Sequence, residues 1–380
     1  MFDFSRENRS LLASWWRNID KTILSLILLL FFLGLFFSFS STSSVIGEKL
    51  NKEAYFFFLK HFIFVVIALI IIFFVSLQKR EIIKAYLPYF FLISLLLLFL
   101  VPLIGIEVKG AKRWLDIPLL PRFQPIEILK PFFILILAQI ISSQVIHNLY
   151  KKYFYTLVLL SFILLLLIIQ PDLGQSVLLF SSWLIMLFSS GINFIILGIF
   201  FLFCVLIFVL ILFFFPNKFG YILFRLKSFI DPTKGENYQS EKALEAIKSG
   251  GFTGRGLGEG VLKDRVPEAH TDYMFAIIAE EFGAILLLLL IIIFLFFSYK
   301  VLHKLLDEKD EYTKLVLVGL ISLLLIQTFI HIGVNIRLLP TTGITLPFLS
   351  YGGSSIVGNA IMAGLILNLT KKIPLKQDTL

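Results

Sequence analysis

The chain has 380 residues, 58% of them hydrophobic, and a formal net charge of +9; its mean hydropathy is +0.93. A soluble domain of this length has no use for so much apolar surface, so repeated apolar runs of about 18 or more residues indicate an all-α integral membrane protein. The one cysteine, Cys204, lies inside an apolar run, which excludes an intramolecular disulfide and any cysteine-based metal or redox motif.

Residues 1–21 read as an N-terminal segment outside the membrane. The first apolar run starts near Thr22 and lacks a small-residue cleavage site, so it reads as a retained span and not as a signal peptide. About ten transmembrane helices follow, with cores near 22–39, 55–77, 83–106, 126–146, 153–169, 174–190, 194–215, 273–298, 314–337 and 350–369. They define a membrane domain over 22–370 and leave 371–380 as a tail. Short loops on one side carry Arg6, Arg9, Arg17 and Lys21, then Lys79, Arg80 and Lys84, then Lys151 and Lys152, then Lys300 and Lys304, then Lys371 and Lys372. The positive-inside rule then puts both termini in the cytoplasm. Two outer segments oppose that rule. "VKGAKRWLDIPLLPRFQP" carries Lys109, Lys112, Arg113 and Arg122, and the loop 216–272 carries nine Lys or Arg. The simplest reason for cations there is an anionic ligand on the outer face.

That 216–272 loop, before the eighth span, is the only long connection, and loops of this length are usually functional or disordered. Its composition is not that of disorder. "NYQSEKALEAIKSGG" reads as a short amphipathic helix ended by Gly250 and Gly251. "GFTGRGLGEG" is Gly-rich but is neither a Walker A loop nor a dinucleotide fingerprint. A short helix and a Gly-rich turn suit an ordered cap over a cleft. "RVPEAHTDYMF" then sets Arg265, Glu268, His270 and Asp272 at the entrance to a long apolar run. Ionisable groups in that place mark a site by default. Asp272 also suits a helix N-cap. His270 has no second His or Cys at ligand spacing and reads as a hydrogen-bonded loop histidine, so no metal site is assigned.

Other polar groups fall on the same side. In "FQPIEILKP", Pro125 suits a first helical turn, and Glu127 and Lys130 are i, i+3 neighbours able to pair or to face a cavity. "QPDLGQS" breaks the chain between spans five and six and exposes Asp172. "NIRLLPTTGITLPFLSYGGSS" is too rich in Pro and Gly for continuous helix; such backbone at membrane depth needs protein or a water-filled cavity against it. Glu280 and Glu281 point about 100° apart on one helix, so one of them is expected to bond backbone or a neighbouring helix. Lys112 and Arg113 also suit interfacial anchors. These groups can line one polar cleft. No nucleotide site is visible, so an enzyme on that face needs a pre-activated, lipid-borne substrate.

At these residues the chain resembles a known family. "GAKRWL", "FQPIEILK", "QPDLGQ", "GRGLGEG…RVPEAHTDYMFAIIAEEFG" and "GVNIRLLPTTGITLPFLSYGGSS" occur in the order of the motifs of the SEDS family (shape, elongation, division and sporulation), over roughly residues 15 to 370. Within it the chain is more similar to the FtsW-like division branch than to the RodA-like elongation branch. The resemblance implies a ten-helix peptidoglycan glycosyltransferase of the bacterial inner membrane, active at the division septum. It polymerises lipid II, a polyprenyl-diphosphate disaccharide-pentapeptide, on the outer face. The implied partners are a class B penicillin-binding transpeptidase (FtsI-like) and other divisome membrane proteins, with no nucleic acid. By motif, Asp272 takes the family's essential acidic position, and Glu127 and Lys130 fall near its cavity. Ile126, Tyr273, Met274 and Arg337 depart from the usual pattern.

On that resemblance Asp272 is the expected general base. Lys112, Arg113, Lys130 and Arg255 are the expected cations for the departing diphosphate. Trp114, Glu127, Glu268 and His270 complete the expected substrate-binding set. No cofactor is evident; a divalent cation, Mg or Mn, could share the charge, although no ligand set stands out. The competing readings are a lipid II flippase or polyprenyl-lipid transporter, an elongation-type polymerase, and a non-catalytic scaffold. A transporter places its key polar groups near the midplane. Here they crowd one face, which favours the enzyme.

Overall fold

A computed structural model describes residues 10–41, 55–108, 111–118, 121–214, 220–230, 238–262 and 271–372. The chain enters through α1 (Leu11–Asn18), whose N-cap Ser10 accepts a hydrogen bond from Ala13 N. Three long apolar helices follow: α2 (Lys21–Ser41), α3 (Phe56–Leu77) and α4 (Arg80–Ile104). A hairpin of β1 (Ile106–Val108) and β2 (Ala111–Trp114) sets Glu107 opposite Lys112. Then come α5 (Pro125–Ile141), α6 (Leu149–Ile169), α7 (Leu173–Ser189) and α8 (Phe194–Phe214). Two short helices, α9 (Gly220–Ile230) and α10 (Tyr238–Gly250), precede α11 (Met274–His303), α12 (Glu311–Asn335) and α13 (Gly353–Leu369).

Ten of these helices stand where the sequence predicts spans, and the amphipathic helix before Gly250 is α10. The sequence reading did not anticipate α1, α9 or the hairpin. Among the described residues, six helices are long and apolar enough to cross a membrane on length and composition alone: α2, α3, α4, α6, α11 and α12. The helices α5, α7 and α13 each have 17 residues, about 25 Å against an apolar thickness of about 30 Å. Irregular backbone follows α6 and α12, which precede α7 and α13.

The helix α12 is enclosed on nearly all sides; it packs on α7, α5 and α11, while α13 packs on α3 and α5. Polar bonds tie the helix ends into two separate groups. At one end Lys304 pairs with Asp20 at 2.8 Å, Arg80 with Glu308 at 3.5 Å, and Lys84 with Asp310 at 3.7 Å. There Asn368 also donates to the carbonyls of Val75, Ser76 and Gln78, and Lys372 N donates to Asn18 O. Arg113, Gln124, Asp172 and Asp272 gather at the opposite end.

The predicted eighth span, 273–298, is not one continuous helix. At Gly283 (φ 77°, ψ 178°) the backbone of α11 leaves helical geometry and divides a wholly buried segment, Met274–Glu281, from the apolar stretch beyond. A break in apolar surroundings strands carbonyls on one side and N–H groups on the other. The Gly-rich turn satisfies both. Arg255 N and Gly256 N donate to Glu280 O and Glu281 O at 2.9 and 3.0 Å, while Gly251 O and Phe252 O accept from Ala284 N and Ile285 N at 2.9 and 3.2 Å. The turn therefore splices a broken helix and is not a phosphate loop. Glu280 accepts from Val261 N and Leu262 N, both at 2.9 Å, and Glu281 accepts from the Ser40 hydroxyl. Both carboxylates thus have local partners, where the sequence reading expected one.

This splice makes a stability prediction. Gly254 and Gly258 both have φ of +82°, but a methyl group on Gly254 would lie 2.2 Å from Glu281 O, whereas one on Gly258 meets nothing within 4 Å. Gly258→Ala should therefore cost about 1 kcal/mol, the left-handed penalty alone. Gly254→Ala should cost roughly 3 kcal/mol or more, because backbone must move. Thermal unfolding of the two variants in detergent checks the order.

Candidate functional site

The site forms where four chain breaks meet. Pro125 begins α5, and the residue before it, Gln124, is fixed from two sides. Its backbone N donates to Ser354 Oγ at 2.8 Å, and its side-chain amide donates to Asp172 Oδ2 at 2.8 Å. Asp172 is the N-cap of α7 and accepts from Gln175 N at 3.4 Å. Burial pushes its carboxyl above the usual range, and the Arg113 guanidinium partly opposes that. The hairpin delivers Arg113 to the same turn. Its Nε lies 3.8 Å from Asp172 Oδ2 and donates to Gln170 O at 3.4 Å, while a second N–H donates to Pro171 O.

Asp272 arrives from the other side. The N-cap position of α11 belongs to Tyr273, so Asp272 stands one residue outside the helix and not in its capping place. Its backbone carbonyl accepts from Asn335 Nδ2 at 3.1 Å. Gly343 (φ +75°), in the irregular stretch between α12 and α13, marks the meeting point. A methyl group built there would lie 3.7 Å from Asp272 Oδ2 and 3.8 Å from Arg113 Nη1. A carboxylate oxygen and a guanidinium thus flank one methyl-sized space that only glycine leaves open.

Beneath this lies a buried charge network. Lys130 Nζ is 2.8 Å from Glu127 Oε2 and donates to Gln327 Oε1 at 3.2 Å. Glu127 Oε1 accepts from Gln175 Nε2 at 2.6 Å. Lys130 is 0% exposed. Its charge is committed to Glu127, which corrects the expectation that it faces a diphosphate. Among the buried atoms with no hydrogen-bond partner among the described residues are Gln175 Oε1, Thr342 Oγ1, His331 Nε2 and Asn359 Oδ1.

The remaining expected residues divide. Lys112 is exposed on the hairpin, and Trp114 beside Arg113 is half-buried opposite Ile106. Arg255 is not brought to Asp272. It lies 3.7 Å from Glu280 and lines a separate cavity of about 140 Å³ with Lys242, Glu245 and Ser249. The splice at Gly283 ties it there, although it is near Asp272 in sequence. Glu268 and His270 lie outside the described residues. Arg337 (φ +58°) pairs with Glu241 of α10 at 3.6 Å. Among the described residues no three His, Cys, Asp or Glu side chains converge as a metal site.

Sequence reasoning missed two contributors. Arg225 of α9 donates to Thr341 O at 3.0 Å and holds the irregular stretch from outside. Gln327, His331 and Asn335 recur every four residues along α12, a polar stripe that was readable in an otherwise apolar span.

The architecture is that of an all-α, multi-pass membrane protein with a carboxylate and a fixed guanidinium at one end of its helices. The model of the cell cycle protein family FtsW/RodA/SpoVE matches residues 20–373, and the chain belongs to that family. Similar proteins include the probable peptidoglycan glycosyltransferase FtsW of Caulobacter vibrioides, 31% identical over 98% of this chain and 94% of that one. The peptidoglycan glycosyltransferase MrdB of Escherichia coli K12 is 33% identical over 75% of this chain and 77% of its own. A solved chain from work on structural coordination of polymerization and crosslinking by a peptidoglycan synthase complex superposes with a TM-score of 0.74. It is 23% identical and covers 93% of this chain and 97% of its own, a likeness of fold.

The buried network makes its own prediction. Lys130→Met should destabilise by about 3–5 kcal/mol, because Glu127 is left as an uncompensated buried charge. Adding Glu127→Gln removes that charge and should recover more than half of the loss. The unfolding midpoints of the two variants in detergent check this.

Proposed function

We propose that this peptidoglycan glycosyltransferase polymerises lipid II on the outer face of the bacterial inner membrane during cell division, with Asp272 as general base and Arg113 as the cation that meets the leaving group. The observation that carries the reading is the pairing of Asp272 Oδ2 and Arg113 Nη1 about the space beside Gly343.

The chemistry follows from the substrate class. A sugar hydroxyl of one lipid-linked saccharide attacks the anomeric carbon of another. The new glycosidic bond forms as the bond from that carbon to the lipid diphosphate breaks. The hydroxyl proton passes to the Asp272 carboxylate, and the electron pair leaves with the diphosphate. A base must lie within hydrogen-bond reach of the hydroxyl, and the partly exposed Asp272 can meet it. Charge builds on the departing oxygen. Arg113 is oriented before that happens, because Gln170 O, Pro171 O and Asp172 already hold two of its nitrogens. A donor fixed in advance does not have to reorganise in the transition state. Glu127 and Lys130 then act as structure beneath the site, and Lys112 and Trp114 border it.

The orientation has the same support. The short loops rich in Lys and Arg belong to the end where Lys304 pairs with Asp20. We place 1–21 and 371–380 in the cytoplasm, 22–370 in the membrane with 216–272 outside, and the protein at the septum. Similarity to a chain of a peptidoglycan synthase complex supports a crosslinking partner, a class B penicillin-binding transpeptidase, alongside other divisome membrane proteins.

The test is polymerisation of purified lipid II by the reconstituted protein with its cognate transpeptidase. Wild type should give glycan ladders. Folded Asp272→Asn should lose at least about a hundredfold in rate, and Arg113→Lys about tenfold or more, because an ammonium cannot reproduce the three-way hold. Ladders of equal length from Asp272→Asn would remove Asp272 as the base. Movement of lipid II across liposomes without polymer would favour the transporter instead.

A further inference from the structure

Gln327, His331 and Asn335 sit at i, i+4 and i+8 on α12, so their side chains share one face of the helix. All three are buried, at 0%, 1% and 0% exposure. Buried amides and imidazoles in an apolar bundle are costly unless bonded, and each of these is bonded to a different neighbour.

Asn335 holds the start of α11. Its Nδ2 donates to Asp272 O at 3.1 Å and to His331 O at 2.8 Å, and its Oδ1 accepts from Ala276 N at 3.1 Å. One side chain thus pins the backbone on both sides of Tyr273. His331 holds the irregular stretch that carries Gly343. Its Nδ1 lies 2.8 Å from Ile344 O, an acceptor only, so Nδ1 bears the proton. Gln327 holds the next residue, donating to Thr345 O at 3.0 Å, and its Oε1 accepts from Lys130. The three side chains thus link Asp272 to the Glu127–Lys130 pair, joined to one another through the backbone of α12 and of Ile344–Thr345.

We propose that Gln327, His331 and Asn335 are positioning residues that act as one device. They hold Asp272 and the Gly343 segment in register, with the buried Glu127–Lys130 pair as the fixed point. None of the three is assigned contact with the reacting atoms. The inference rests on the proposed role of Asp272. Its logic is geometric: the catalytic constellation tolerates little displacement, and an error of about 1 Å costs about a hundredfold in rate. Asp272 stands one residue outside its helix, so the helix alone does not fix it.

The experiment uses the full chain, reconstituted with its transpeptidase partner, and lipid II as the probe. Wild type and Asp272→Asn run beside Asn335→Leu, Gln327→Leu and the double variant. Each single variant should lower kcat about tenfold or more, keep KM for lipid II within about threefold, and bind lipid II at full stoichiometry. A loss of folded protein would lower that stoichiometry, so binding separates positioning from general damage. Amide exchange at 273–277 should quicken in Asn335→Leu. Because the three act together, the double variant should fall no more than about threefold below the worse single. Where Asn335→Leu does not fold, His331→Leu leaves every bond to Asp272 in place and should still lose about tenfold in kcat by releasing Ile344. Full rates from the folded variants, losses confined to KM, or multiplicative losses in the double would overturn the inference. Wild-type ladders with an inactive Asp272→Asn would leave the proposed function standing in that case. An active Asp272→Asn would instead sink the base assignment itself.

Discussion

The constraint on which the structure depends is that backbone leaving a helix inside an apolar medium must find its hydrogen bonds in protein. Among the described residues the chain leaves helical geometry at Gly283 and between α12 and α13, and each break is repaired by a separate part of the molecule. The break at Gly283 is closed by the Gly-rich turn, which donates two N–H groups and accepts two. The stretch between α12 and α13 is held by side chains: His331 on Ile344 O, Gln327 on Thr345 O, and Arg225 on Thr341 O. The two repairs bracket the site. Asp272 precedes the first broken helix, and Gly343 lies in the irregular stretch. The site is therefore built where the chain is least regular, and its precision comes from the groups that complete the broken backbone.

The second cost is electrostatic. Glu127 and Lys130 are both buried, and an isolated charge there would lose several kcal/mol of hydration. The i, i+3 spacing lets each neutralise the other on one helix, and Gln175 and Gln327 add a donor and an acceptor from α7 and α12. The pair thus joins three helices at one point. That is a more specific tie than apolar packing in lipid, where helix association lacks a hydrophobic drive. It also explains how α5 keeps two charges within its first two turns.

Much of this was legible in the sequence. Apolar runs located all ten long helices, since hydropathy reports lipid contact directly. Pro and Gly density in 336–352 announced non-helical backbone, and "AIKSGG" announced the end of α10. The break at Gly283 was silent, because "FGAILL" keeps its apolar character through the glycine; only the partner turn at 250–256 gives the break its reason. Proximity along the chain misled for Arg255. It stands in the same loop as Asp272, yet its backbone bonds to Glu280, beyond two turns of buried helix. For Lys130, spacing alone left pairing and cavity exposure both open, and burial decided for pairing. The stripe Gln327, His331, Asn335 was legible by period but had no partner in sequence to give it meaning.

The choice of arginine at 113 follows from the same economy. The hairpin, not a helix, carries it, so its backbone has less to hold it in place than the residues of α5 or α12 have. A lysine there would be a single point charge free to follow any anion. The guanidinium divides its work instead. Nε and one terminal nitrogen bond the carbonyls of Gln170 and Pro171, at a turn that also holds the buried Asp172, which the sequence pattern suggested would be exposed. The other terminal nitrogen is the one that reaches Gly343. Asp172 in turn is fixed by Gln124, which is fixed by Ser354 at the start of α13. The cation is thus tied through four chain breaks, and Asp272 through the stripe on α12. The first route ends at the start of α5 and on α13, and the second on Lys130 of α5, the helix that carries the buried pair. A carboxylate and a cation that must hold their separation are best anchored to one frame, and this bundle supplies it.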